Sequence, residues 1–363
     1  MPVARVPVGA LKGRGTALRI AHRFERDERE DYDDGWGTLD QAASEEHLPP
    51  ATQVIEERVK SILSTNDSPD IPFEQSINPY RGCEHGCIYC YARPTHSYLN
   101  LSPGLDFETR IVAKVNAVQR LEEELSRPGY RPRFINVGAA TDAYQPVERR
   151  LGITRGVVEM LTRCEHPFSI VTKSSGIERD LDLLAPAGQR NQVAIFISIT
   201  TLDAQLSRIL EPRAAAPHRR LQALRRLAEA GVPVSVNVAP VIPFINEPEI
   251  EKIAEAAIAA GARSVHWTVV RLPWEVAPLF RQWLQQHFPD RAGRVMARIQ
   301  DMRGGKDYEA DFATRMKGHG PWAQLIRQRF ERLMQRNSLL RRVPELDASR
   351  FRPPRQMDQG RLF

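Results

Sequence analysis

The sequence predicts an α/β fold, a partial (β/α)6 barrel with an N-terminal arm in front of it and a helical cap behind it. Three observations predict it. From residue 72 onward, apolar strand-like runs alternate about six times with amphipathic helical stretches, the pattern of a parallel sheet with crossover helices. The runs at 194–199 (Ala-Ile-Phe-Ile-Ser-Ile) and 234–238 (Val-Ser-Val-Asn-Val) are nearly continuous and rich in β-branched residues, as expected of strands buried on both faces. With 363 residues, 42% of them apolar, the chain can bury one large core with extensions.

In chain order, residues 1–68 read as an acidic arm, partly disordered, whose one periodic piece is a helix-like stretch at 54–63. Its charge is concentrated: residues 22–47 hold ten Asp and Glu against three Arg. The core spans 69–272, with strands expected at 72–78, 134–138, 168–172, 193–199, 232–239 and 264–270. Helices are expected at 107–125, 156–164, 178–184, 217–230 and 249–260, with Gly231 and Gly261 ending the last two. Amphipathic helices near 279–287, 295–302 and 322–333 make a cap over 273–345, and 346–363 reads as a flexible basic tail rich in Pro, Arg and Gln.

No run of eighteen apolar residues occurs and the first 21 residues lack a signal peptide's apolar segment, so a cytoplasmic protein without a membrane partner is expected. A reducing compartment also suits the cysteines. Cys83, Cys87 and Cys90 crowd into eight residues, spaced by three and then two, while Cys164 stands apart in a predicted helix. Three thiolates this close can converge on one soft metal centre, with Gly82 and Gly86 freeing the backbone to wrap it. They fill three corners of a [4Fe-4S] cube and leave the fourth iron open. The competing reading is zinc, with His85 as a fourth ligand; a disulfide would leave an odd cysteine.

The stretch 78–94 carries CxxxCxxC with an aromatic residue, Tyr89, before the third cysteine, and in this it resembles the radical SAM superfamily. The resemblance implies a TIM-type partial barrel, a [4Fe-4S] cluster on Cys83, Cys87 and Cys90, and S-adenosylmethionine on the open iron, cleaved to a 5'-deoxyadenosyl radical by an electron from a flavodoxin- or ferredoxin-type donor. It assigns Tyr89 and Tyr91 to the surroundings of the adenine. Gly138, at the end of the second strand, would let the cofactor approach the backbone, and Thr141 and Asp142 stand where relatives carry Gly-Gly-Glu. Lys173 would meet the cofactor carboxylate and Ser198 the ribose.

The segment from Glu211 to Arg213, a charged pair in a Pro-bounded loop, together with the Thr-Asp, Thr-Lys and Ile-Ser-Ile stretches, is similar to spore photoproduct lyase-like proteins, in particular a DNA repair photolyase-like bacterial branch. The likeness covers roughly 72–270. Spore photoproduct lyases place a hydrogen-donor cysteine just after the second strand, where this chain has Ala139, Ala140 and Thr141, so reversal of a thymine dimer by that route is not implied. The substrate is expected in loops and cap. Residues 291–363 hold seventeen Lys and Arg against eight Asp and Glu, with Arg327, Arg329, Arg332 and Arg336 along one predicted helix beside Trp322 and Phe330, which suggests a nucleic-acid footprint. The alternative function is a non-catalytic zinc or iron-sulfur protein that binds nucleic acid.

Overall fold

A computed structural model describes residues 11, 13–25, 51–339 and 345–354. The strands are β1 (Gln53–Glu57), β2 (Leu63–Thr65), β3 (Gln75–Ile77), β4 (Tyr80–Arg81), β5 (Arg110–Lys114), β6 (Ile135–Val137), β7 (Phe168–Thr172), β8 (Val193–Ser198), β9 (Val234–Val241) and β10 (Val265–Val269). Six of them, β3 and β6 to β10, pair in parallel in chain order, and β2 adds an antiparallel edge beside β3. The predicted partial barrel is present, and the sheet does not close on itself.

The crossover helices are α1 (Leu105–Thr109), α2 (Ala117–Leu125), α3 (Ile153–Arg163), α4 (Leu181–Gln189), α5 (Ala204–Leu210), α6 (Pro217–Glu229) and α7 (Ile250–Ala259), and the cap adds α8 (Val276–His287), α9 (Pro289–Asp301) and α10 (Gly320–Arg336). Their apolar stripes cover the outer face of the sheet: Ile170, Ile195, Val236 and Trp267 pack against Leu161, Leu224, Ile253 and Phe330 in one core. None of the helices among the described residues is long and apolar enough to cross a membrane.

Two predicted helices are corrected. The stretch 54–63 is extended: Val54 and Ile55 sit in β1, which pairs in parallel with β5 in a separate three-stranded sheet. The predicted helix 107–125 breaks into α1, β5 and α2, because Ile111 and Val112 are β-branched and find strand partners in both β1 and β4. The strands are also not buried alike on both faces. Val171, Phe196, Asn237, His266 and Thr268 point away from the helices and are half-buried, so the barrel interior is an open, partly polar chamber.

Residues 308–317 span the gap that an open barrel leaves between its edges. Met316 accepts the Val269 N–H at the free edge of β10 (2.9 Å), while Arg315 makes a two-bonded ion pair with Asp70, between β2 and β3 (2.6 Å each). The buried Arg303 fixes this segment by donating to the carbonyls of Val270, Thr314 and Arg315. The described part of the tail is docked: Arg352 N–H bonds the Cys164 carbonyl (2.9 Å) and Phe351 packs on Tyr130 and His166. The acidic run at 26–50 lies outside the described residues, as do 355–363.

Candidate cluster and cofactor site

The three cysteines lie on the loop that follows β3 and β4, at the C-terminal end of the barrel strands. Gly82 and Gly86 have φ of 82° and 67°, the left-handed region that glycine adopts freely. Side chains could not replace them: a Cβ on Gly82 would lie 2.8 Å from the His96 ring, and one on Gly86 would lie 2.7 Å from Glu108 Oε2. The loop is pinned from several elements at once. Cys83 N–H bonds the Phe107 carbonyl (2.9 Å), Ile88 N–H the Leu210 carbonyl (3.2 Å) and Glu84 N–H the Gln145 side chain (2.9 Å). Among the described residues no group of three or more His, Cys, Asp or Glu converges as the ligands of one ion do.

All four cysteines are free thiols. Burial, reinforced by Asp142 and the neighbouring cysteines, pushes the Cys83 thiol well up, and burial pushes Cys87 up to about 12. Such thiols become thiolates only against a cationic centre bound to sulfur, so the donor set suits an iron-sulfur cluster, whose thiolates stand at separate corners. Cys164 ends α3 beside Met160, in the outer core and away from the loop.

Beneath the cysteines lies a buried charge network. Tyr89 O–H donates to Glu211, which also accepts from Thr200 Oγ1 (2.5 Å) and pairs with the Arg220 guanidinium. Burial alone would raise the Glu211 carboxyl, but Arg220 and Lys173 outweigh it and hold it below the ordinary range. Arg220 also donates to the Ser198 carbonyl (3.1 Å), which anchors the end of β8. Glu211 and Arg213 do not pair with each other as the sequence suggested. Arg213 turns outward to Glu84 (3.1 Å) and Thr52 (3.2 Å), since Pro212 separates two residues that face opposite sides of the loop.

Lys173 extends from the end of β7. Burial works against its charge, but Cys87, Glu211 and Asp142 prevail and raise its pKa. Its ammonium lies 5.9 Å from the Tyr89 ring centroid and makes no hydrogen bond among the described residues, so it is available to an anionic ligand. Asp142 is already engaged, accepting from Thr172 Oγ1 (2.7 Å) and from the Lys173 and Tyr144 N–H groups (2.7 and 2.9 Å), with His85 Nδ1 at 3.3 Å. Against burial, these partners and His85 hold its carboxyl well below the usual carboxylate range.

Thr141 Oγ1 donates to the Gly82 carbonyl (2.6 Å) and accepts from Gln145 (3.0 Å), so its hydroxyl braces the cysteine loop. Gly138 has φ of 88° and presents bare backbone at the end of β6. Tyr91 is half exposed at the rim, its O–H on the Ala139 carbonyl and the Arg271 guanidinium 4.5 Å above its ring.

The register puts Ser198, Asn237 and His266 in one row across β8, β9 and β10. His266 is held through Nε2 by Ser264 Oγ (2.9 Å), itself 2.7 Å from Ser235 Oγ, and it meets Phe196 edge to face at 5.4 Å. Sequence reasoning named Ser198 but missed Asn237, His266 and Arg220. Alternation along the three strands was the available signal, but only the barrel shows which face is inside.

Residues 77–257 match the radical SAM superfamily. An uncharacterized protein of Mycobacterium tuberculosis is 36% identical over 226 residues, which cover 62% of this chain and 66% of that protein, and one of Methanocaldococcus jannaschii is 25% identical over 197 residues, covering 54% and 71%. The match thus spans just under two thirds of the mycobacterial relative. Among solved structures, spore photoproduct lyase with bound AdoMet and dinucleoside spore photoproduct superposes with a TM-score of 0.52 at 16% identity, covering 78% of this chain and 79% of the other. At that identity the likeness is one of fold.

Proposed function

We propose, from the premise that the chain belongs to the radical SAM superfamily, that it is a radical SAM enzyme which abstracts hydrogen from a substrate group held inside the barrel. The superfamily uses a [4Fe-4S] cluster and S-adenosylmethionine and takes its electron from an external reductant. The observation that carries the reading is the pinned Cys83-Cys87-Cys90 loop at the barrel mouth with the Lys173 ammonium beside it, which makes no hydrogen bond among the described residues. A cluster on these three cysteines would supply one-electron cleavage of S-adenosylmethionine to methionine and a 5'-deoxyadenosyl radical.

The chain's own residues provide the binding. Lys173 pairs with the methionine carboxylate by a charge-assisted contact, the Gly138 backbone lets the amino end approach the sheet, and Ser198 offers its hydroxyl to the ribose. Tyr89, fixed by Glu211, walls the adenine side, and Tyr91 with Arg271 forms the rim. Thr141 acts on the cofactor indirectly, through the Gly82 carbonyl. Val171 and Phe196 give the chamber an apolar side while Asn237, His266 and Thr268 give it a polar one, and the barrel around them excludes water. We propose that nucleic acid presents the substrate group, supported by exposed Arg327, Arg332 and Arg336 on α10 and by the Tyr91 and Trp274 rings at the mouth. A flavodoxin- or ferredoxin-type donor in the cytoplasm fits the free cysteines.

The test is anaerobic reconstitution with iron and sulfide, then dithionite reduction with S-adenosylmethionine. The protein should release 5'-deoxyadenosine and methionine in equal amounts, and Lys173→Ala should raise the Kd for S-adenosylmethionine by about tenfold, one charge-assisted contact. Cofactor affinity indifferent to both Lys173→Ala and Ser198→Ala would overturn the residue assignment.

A further inference from the structure

We infer that the segment around Gly15, ahead of the matched 77–257 region, is a positioning element of the cluster site, acting through a buried Glu108–Arg93 pair on the carbonyls of the cysteine loop. The inference rests on the reading that Cys83, Cys87 and Cys90 hold a cluster. Arg93 and Glu108 are both fully buried, 2.5 Å apart. Arg93 spends every N–H on its surroundings: Nε on the Cys87 carbonyl (2.9 Å), Nη1 on the Pro103 and Gly104 carbonyls (3.2 and 2.9 Å), and Nη2 on the Gly86 carbonyl (3.2 Å) and Glu108. Two of these carbonyls belong to the cysteine loop itself.

Glu108 divides its oxygens. Oε1 accepts from Arg93, while Oε2 accepts the Gly15 N–H at 2.8 Å, and its main-chain carbonyl accepts from Arg14 Nη1 at 2.9 Å. The fit leaves no room. A Cβ on Gly15 would lie 1.8 Å from the Gly86 carbonyl oxygen, and one on Gly104 would lie 2.2 Å from that of Leu18, which accepts the Leu105 N–H at 2.8 Å. Thr52, on the far side of the undescribed acidic run, adds a second tie by donating to Glu84 Oε1 (2.7 Å) inside the cysteine motif.

This arrangement acts on more than stability. The peptide unit is planar and trans, so fixing the Gly86 carbonyl on Arg93 points the Cys87 N–H in the opposite direction within the peptide plane. Hydrogen bonds and fixed charges around the sulfurs set a cluster's reduction potential. Gly15 therefore holds Glu108, Glu108 neutralises and orients Arg93, and Arg93 sets the peptide orientation around the ligand cysteines.

The experiment compares full-length wild type, Gly15→Val and the near-isosteric Glu108→Gln after anaerobic reconstitution. Gly293→Ala, where an added Cβ meets nothing within 4 Å, is the control. Both variants should lose iron to a chelator several-fold faster than wild type and show altered electron paramagnetic resonance g-values. Glu108→Gln, which leaves the Arg93 charge uncompensated, should shift the midpoint potential positive. Gly293→Ala should match wild type. Folded variants with a wild-type spectrum, potential and iron-loss rate would overturn the inference and reduce the contacts to structural support. A wild-type protein that takes up no iron would overturn the cluster reading, and this inference with it.

Discussion

Glu211 is a fully buried carboxylate beneath the cysteines, and its cost is met by Arg220, equally buried, rather than by solvent. Removing one partner of such a pair leaves an uncompensated charge, so Arg220→Leu should cost about 3–5 kcal/mol, read as a large fall in the midpoint of chemical denaturation. A change within about 1 kcal/mol would mean that Glu211 is protonated or hydrated instead. The cysteines divide similarly: Ala at position 83, 87 or 90 should bleach the reconstituted protein, while Cys164→Ala should keep its colour, measured as absorbance near 400 nm, on the order of that for Fe–S charge transfer. At this scale the cysteine motif was legible because its three cysteines lie within eight residues of one another. The charge pairs were not: Glu211 with Arg220, Glu84 with Arg213 and Arg93 with Glu108 depend on how loops fold back, and sequence proximity wrongly joined Glu211 to Arg213.

At the scale of elements, β7, β8, β9 and β10 fall close to the stretches that β-branched composition marked, and α6 and α7 end at the expected glycines. Residues 54–63 and 110–114 went the other way because their partners, β1 with β5 and β4 with β5, are set by tertiary pairing rather than local propensity. Helix α10 also does more than its charge suggested. Phe330 stacks on Trp267 at 5.0 Å in the core and Arg329 is tied to Glu247 and Glu251, so neither belongs to an open surface. Reversing Arg327, Arg332 and Arg336 to Glu should lower oligonucleotide affinity and flatten the log–log salt slope by up to about 3, whereas Arg329→Glu should destabilise the helix packing. Unchanged salt dependence in the triple variant would remove α10 from the proposed footprint. The bridging segment at 308–317 makes a separate prediction. Asp70→Asn should weaken the Arg315 tie and speed amide exchange there, with the β-sheet unaffected, and equal exchange in both proteins would show the tie to be dispensable.

Across the whole molecule, His96, His166 and His266 share one property: burial lowers each pKa to about 4, so all three are neutral in the folded protein. An unfolded histidine takes a proton near pH 6.5, so the unfolded chain binds more protons between about 6.5 and 4. Stability is therefore fully present above pH 6.5 and falls through that window, by up to about 3 kcal/mol per histidine. His166→Gln should flatten the loss, measured as denaturation midpoint against pH, and an unaltered profile would mean that His166 is charged in the folded state. The central claim, that three cysteines hold a cluster with one iron open to S-adenosylmethionine, is tested most directly by electron paramagnetic resonance of the anaerobically reconstituted, dithionite-reduced protein with and without S-adenosylmethionine. A [4Fe-4S]+ signal whose g-values move on adding S-adenosylmethionine is predicted. A protein that binds stoichiometric zinc and no iron, or a cluster signal indifferent to S-adenosylmethionine, would contradict it.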